Sequence, residues 1–272
     1  MESLRVPVAD GVTLHVRHRP GSGPPLLLVH GLSSNARLWD GVAEHLAGRP
    51  AYAVDLRSHG ESDRPGSGYD TATAAADLDA VCAGLGLAPA VVVGQSWGGN
   101  VVVQFAARFP ARATSLVLVD GGWIDLRSSF PSWEACAAAL RPPDLAGATA
   151  SRMAGFLRRS HPDWEPWAID ATVANLRSRP DGTLERRLPI PEHMMIVRSM
   201  WDDPPFAYYP DVRVPVLLVP AGHKDVTAVA DRLADARVRA FPGADHDVHA
   251  QHPAELAADL LSLGEPTSTS AR

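Results

Sequence analysis

Lysine occurs once in this chain of 272 residues, at Lys224, and cysteine only twice, at Cys82 and Cys136. The two thiols stand alone in Ala-rich stretches without CxxC or Cys/His spacing, so buried free thiols are expected rather than a disulfide framework or a zinc site. Arginine supplies every other basic residue. With abundant Ala, Gly and Pro, that bias suggests a GC-rich bacterial genome and says nothing about activity. Blocks of like charge are missing too: the net charge is −6, and acidic and basic residues mix along the chain. No basic stripe could follow a phosphate backbone, which argues against a nucleic-acid partner. No apolar run approaches the length that spans a bilayer, and MESLRVPVADG lacks the basic and apolar regions of a signal peptide. A soluble cytoplasmic protein with no membrane partner is expected, and nothing in the sequence fixes its oligomeric state.

Hydrophobic residues make up 46% of the chain and charged residues 21%, near the globular average and enough for a sizeable core. Alternation in LRVPV and VTLHVRHR around the turn pair Asp10-Gly11 predicts an antiparallel hairpin. The continuous apolar runs LLLVH, AYAVD, AVVVG, SLVLVD and PVLLVP predict parallel strands buried on both faces, and VRAF a weaker later one. Helical patterns lie between them at residues 38 to 47, 71 to 86, 97 to 109 and 226 to 235, and a last helix starts at Pro253. Strands alternating with such helices predict an α/β fold with a mostly parallel central sheet and helices on both faces.

The alternation breaks after Asp120. About 90 residues follow without a convincing buried strand, and they carry Trp123, Trp133, Trp164, Trp167 and Trp201. A helical lid inserted after the sixth strand is expected, over the strand ends where open α/β sheets bind ligands. The expected organisation is a core of residues 1–120 and 214–263, a lid of 121–213 and a disordered tail of 264–272. The clustered indoles, Trp123, Trp164, Trp167 and Trp201 in particular, predict a pocket for a small hydrophobic or aromatic substrate.

Gly94-Gln95-Ser96-Trp97-Gly98 matches G-x-S-x-G, in the one context that makes the pattern specific: after an apolar strand and before a helix. A sharp turn there lifts a serine hydroxyl clear of the sheet, and its glycines permit close backbone packing. The backbone N–H of Trp97 and that of Leu32, in His30-Gly31-Leu32 after LLLV, are the expected oxyanion donors. The ring of His30 is expected to order its loop rather than to move protons. An acid and a base should follow the serine in chain order. Asp225 lies just beyond PVLLVP and His246 beyond VRAF; Asp225 is preferred as the acid over its rival Asp120, which ends SLVLVD on the same rim. The stretch from Asp245 to His252 is rich in possible metal ligands, but it lacks helical pairing, so no metal and no cofactor is expected. Asp55-Leu56-Arg57-Ser58-His59-Gly60-Glu61-Ser62-Asp63 is expected to be a turn tied by side-chain hydrogen bonds.

These segments together resemble the α/β-hydrolase superfamily, in particular its esterase, cofactor-free haloperoxidase and carbon–carbon hydrolase branches. The resemblance covers nearly the whole chain. It implies Ser96 as nucleophile, His246 as base, Asp225 as acid, and Leu32 and Trp97 as oxyanion donors, acting on a small molecule through an acyl-enzyme. Asp245 before the histidine and the residues after Asp225 depart from the common family pattern. A carbon–carbon hydrolase, an acyltransferase or thioesterase, and a ligand-binding receptor on the same scaffold are the alternatives.

Overall fold

The computed structural model describes residues 1–263; the expected tail, 264–272, lies outside them. Ten strands are β1 (Glu2–Pro7), β2 (Thr13–Arg19), β3 (Leu26–Val29), β4 (Ala51–Val54), β5 (Ala90–Gln95), β6 (Ala113–Val119), β7 (Leu176–Ser178), β8 (Leu184–Arg186), β9 (Val216–Val219) and β10 (Ala236–Val238). Eight of them form one sheet in the order β1-β2-β4-β3-β5-β6-β9-β10. Pairing is antiparallel at β1/β2 and β2/β4 and parallel from β4 onward. The β1–β2 turn uses positive φ at Asp10 (62°) and Gly11 (70°), the backbone that a tight hairpin of this twist requires.

The expected fold class holds. Every residue of β3 is buried, as is all of β5, and β6 is buried except for Thr114. Such strands need cover on both faces. One face packs against α2 (Thr71–Gly84) and α3 (Trp97–Arg108), with Leu78, Val101 and Phe105 in the core. The other packs against α1 (Asp40–Glu44) and the helix Pro253–Ser262, through Val42, Leu256 and Leu260, with Leu46 from the loop after α1. The last strand differs from expectation. It runs Ala236–Val238 rather than over VRAF, and Phe241 joins only through an isolated bridge to Ala221.

Between β6 and β9, where a lid is expected, helices Leu126–Ser129, Trp133–Leu140, Ala150–Ser160, Pro166–Val173 and Ile190–Asp202 alternate with short turns. Serine, threonine or aspartate caps the first three, as helix starts demand. Sequence patterning missed the small antiparallel pair β7/β8 in this segment, because three-residue strands carry too short an alternation to register.

Chain order reverses between β3 and β5, since β4 lies on one side of β3 and β5 on the other. In such sheets the crevice outside the strands' carboxyl ends is the place for a ligand. Close backbone packing builds this crevice. A Cβ on Gly98 would lie 2.5 Å from the carbonyl oxygen of His30 and 2.7 Å from that of Val29. Gly98→Ala therefore sets a helix-propensity gain of about 0.5–1 kcal/mol against an overpacking cost of about 1–3 kcal/mol. Urea unfolding should show net destabilisation; a variant as stable as the parent would mean that the β3 loop can move aside freely.

Candidate active site

Parallel register brings three chain segments to one edge. Val29 pairs with Gly94, Gln95 with Val119, and Val119 with Val219. The next residues in each strand direction are His30-Gly31, Ser96 and Asp120, so these leave the sheet at nearly one level. The Ser96 N–H donates to Val119 O at 2.9 Å and the Asp120 N–H to Val219 O at 2.8 Å, which anchors both rim residues to neighbouring strands.

Ser96 has φ 54° and ψ −124°, a conformation that costs a non-glycine residue about 1–3 kcal/mol and persists only where its surroundings impose it. Glycines let neighbouring backbone press close around it. A Cβ on Gly121 would fall 2.0 Å from Ser96 O, and one on Gly94 would fall 2.3 Å from Gly98 O. Ser96 also stands at the N-terminal end of α3, where the helix dipole favours negative charge. Its hydroxyl, with no hydrogen-bond partner among the described residues, opens on a cleft of 180 Å³ that His246, Asp247, Gln95, Leu32 and Asn175 also line.

His246 is half exposed, and its Nδ1 lies 2.6 Å from Asp120 Oδ2. Asp120 is buried and receives two further donors: Lys224 Nζ at 2.5 Å on the same oxygen and the Ala221 N–H at 3.1 Å on Oδ1. Burial alone would raise the Asp120 pKa, but the His246 and Lys224 bonds and the Ala221 N–H hold it below the ordinary carboxylate value. For His246, desolvation disfavours the imidazolium. The hydrogen bond to Asp120 and the charges of Asp247 and Asp120 outweigh it, Lys224 opposes them, and the net shift is upward.

The placement of the acid corrects the sequence expectation. Asp225 is exposed, and its Oδ1 accepts the Thr227 N–H at 2.9 Å ahead of the short helix Thr227–Ala230. A carboxylate tied to the next turn is turned away from His246, and Asp120 occupies the position instead. Lys224, the chain's sole lysine, was not anticipated as its second partner.

The oxyanion expectation has supporting geometry. A Cβ on Gly31 would stand 3.0 Å from Ser96 Cβ, so the β3 loop passes directly over the serine. Among the described residues the N–H groups of Leu32 and Trp97 have no backbone acceptor. Three histidines brace this loop. Those of His30 lie 2.7 Å (Nδ1) from Gly31 O and 3.1 Å (Nε2) from the Leu56 N–H, which makes Nδ1 the donor and Nε2 the acceptor. His59 Nε2 accepts from the Ser33 N–H at 3.1 Å, and His193 Nδ1 meets Ser33 Oγ at 2.9 Å. Burial pushes the His30 pKa down and that of His59 down to about 3, so both rings stay neutral and serve as fixed spacers. Gln95, hidden in the motif's variable position, links the elbow to the other wall, donating to His246 O at 3.2 Å and Asp247 Oδ1 at 3.4 Å.

The indoles expected to bind substrate pack elsewhere. Trp164 stacks on His161 with centroids 4.1 Å apart, and Trp201 meets Trp133 edge-on at 6.1 Å. Trp167 covers Gly41, where a Cβ would lie 2.2 Å from its ring, and Trp123 packs against the main core. None of the four is among the residues lining the cleft around Ser96, whose walls are mainly polar. The histidines after the base diverge as well: His249 is buried against Trp39 at 4.4 Å, and His252 lies 5.5 Å from Phe241. Asp55 ties its turn as expected, accepting the N–H groups of Ala36 at 2.7 Å and Glu61 at 3.0 Å and meeting His15 Nδ1 at 2.7 Å.

The strand-turn-helix at Ser96, His246 and the rim carboxylate Asp120 gather at one sheet edge, and the comparisons give the family of the chain. The family model described as "alpha/beta hydrolase fold" matches residues 24–253. The chain belongs to this family. It is 31% identical to Lipase LipV of Mycobacterium tuberculosis over 265 residues, covering 92% of this chain and 97% of that one. It is 28% identical to 2-(acetamidomethylene)succinate hydrolase of Mesorhizobium japonicum over 250 residues, covering 89% and 88%. A crystal structure of E-2-(acetamidomethylene)succinate hydrolase superposes with a TM-score of 0.79 over 96% of this chain and 98% of that one, at 28% identity. An uncharacterized M. tuberculosis protein is 40% identical over 105 residues, but the match spans only 31% of its length.

Asp120→Asn should reduce kcat by a factor on the order of 10⁴, as amide replacement of the orienting carboxylate does in the worked serine-protease example. Asp225→Asn should stay within a few-fold of the parent. Both are to be measured on one ester, with folding checked by circular dichroism; collapse in Asp225→Asn with near-normal turnover in Asp120→Asn would return the role to Asp225.

Proposed function

We propose that this protein is a serine hydrolase that cleaves an ester or related acyl bond of a small molecule through an acyl-enzyme on Ser96. The observation that carries the reading is the strained Ser96 on the same cleft as His246, whose Nδ1 is held by buried Asp120. In the first step Ser96 Oγ attacks the substrate carbonyl carbon and its proton passes to His246 Nε2. Asp120 keeps Nδ1 protonated and stabilises the imidazolium that forms. The carbonyl electrons move onto oxygen, where the Leu32 and Trp97 N–H groups receive the negative charge. As the tetrahedral centre collapses, His246 returns the proton to the leaving group. Water, deprotonated by the same histidine, then attacks the acyl carbon; the bond to Ser96 Oγ breaks, the histidine gives its proton back to Oγ, and the acid leaves. No cofactor takes part in this scheme, and the segment 121–213 acts as a lid that shapes the cleft.

The polar cleft walls do not support the earlier expectation of a hydrophobic or aromatic acyl group. Two named activities among similar proteins, on 2-(acetamidomethylene)succinate and on N-formylmaleamate, place acyl groups on nitrogen beside esters as bonds to test. Rapid quench of the enzyme with a p-nitrophenyl ester, followed by intact-mass and peptide analysis, should show the acyl mass on the peptide containing Ser96. Ser96→Ala should show no adduct. Turnover with the acyl group on another residue, or undiminished in Ser96→Ala, would defeat the proposal.

A further inference from the structure

The cleft at Ser96 continues beneath the β7/β8 pair. Ser33, Ser34 and Asn175 line both the Ser96 cleft and an adjoining narrow cavity, and Arg186 lines both that cavity and an open groove of 480 Å³. Shared walls thus place the cleft, the narrow cavity and the groove side by side, and the groove also presents Arg64, Arg177 and Arg179. On a chain of net charge −6, four guanidinium groups gather here, with Asp144 and Glu185 also in the groove wall.

Most of these arginines have a carboxylate. Arg64 meets Glu192 at 2.7 Å, Arg177 and Arg179 share Glu185, and Arg187 beside them pairs with Glu61 at 2.8 Å. Arg186 differs. Its one hydrogen bond goes to the carbonyl oxygen of Pro143 at 2.8 Å, and among the described residues no carboxylate lies within salt-bridge distance of it; Asp144 acts on it only through space. This partly buried guanidinium keeps most of its five donors free and has no protein counter-ion, so an anion entering from the groove would meet an unpaired fork. It lines the cavity that shares Ser33, Ser34 and Asn175 with the Ser96 cleft, the side toward which the far end of a bound acyl substrate is taken to extend.

We infer that Arg186 is the anchor of an anion subsite, and that the substrate carries an anionic group, carboxylate or phosphate, at the end remote from its scissile acyl bond. This deepens the proposed function and rests on Ser96 as the nucleophile. The bidentate fork of arginine suits both anions. The other groove arginines, already paired, add field rather than primary contacts.

The test compares matched substrates in wild type and Arg186→Gln. The carboxylate pair is the p-nitrophenyl half-ester of glutarate and its neutral methyl ester; the phosphate pair is butyryl-CoA and butyryl-N-acetylcysteamine. At least one pair should favour the anionic member by about tenfold or more in kcat/KM, the scale of a charge-assisted hydrogen bond, and the preferred pair identifies the anion. Arg186→Gln should reduce that ratio toward one, mainly through KM, Arg186→Lys should hold an intermediate ratio, and added salt should weaken the preference. Equal kcat/KM within both pairs in wild type, or a ratio unchanged in Arg186→Gln, would overturn the inference. If wild type hydrolyses no member of either pair, the acyl adduct on Ser96 and its loss in Ser96→Ala still decide the nucleophile separately. Calorimetric titration of glutarate and of inorganic phosphate into wild type and Arg186→Gln then decides the subsite alone: binding lost in the variant supports it, and binding absent in wild type or equal in both overturns it.

Discussion

The carboxylate of Asp120 is the constraint on which the site depends. It is buried at the end of β6, and a buried charge without partners is strongly unfavourable, so the chain supplies three donors to it. Each comes from a segment that would otherwise be loosely placed. Ala221 and Lys224 belong to the loop after β9, and His246 belongs to the loop after β10. The need to compensate one charge thus folds two loops onto the sheet edge, and it sets the tautomer of the histidine as it does so. Ser96, one strand away and anchored to Val119 O, needs no further device to face the same cleft.

Much of this was legible in the sequence. Continuous apolar runs mark strands buried on both faces, so β3, β4, β5, β6 and β9 were all foreseeable, and Gly-x-Ser-x-Gly between AVVV and a helix located the strained turn. The weaker features were misplaced for physical reasons. Strand β10 begins two residues before its apolar run because edge pairing with β9 depends on backbone register more than on side-chain hydrophobicity. The three-residue strands β7 and β8 are too short for alternation to register. Asp225 and Asp120 both follow buried strands, and spacing alone cannot say which carboxylate turns inward. The Asp225-Val226-Thr227 sequence held the signal: an aspartate two residues before a threonine N–H at a helix start commonly bonds it locally, as Asp225 does.

The tryptophans illustrate a different limit. Aromatic side chains bury large areas, and composition cannot distinguish burial against protein from burial against ligand. Here a segment of short helices has little core of its own, and Trp164, Trp167 and Trp201 supply its packing against His161, Gly41 and Trp133. The cleft is left with polar walls. With the indoles packed inside the protein, the proposed specificity rests on charge rather than on apolar area.

The Asp120–His246 interaction can be read without any substrate. Proton NMR of the His246 ring across pH should show it titrating above the ordinary imidazole value in wild type, because the Asp120 bond and the charges of Asp247 and Asp120 outweigh desolvation. The neutral base is then lost as pH falls through that raised midpoint. Asp120→Asn should move the midpoint down, and Asp225→Asn should leave it in place. A His246 midpoint unmoved in Asp120→Asn, or lowered by Asp225→Asn, would contradict the account.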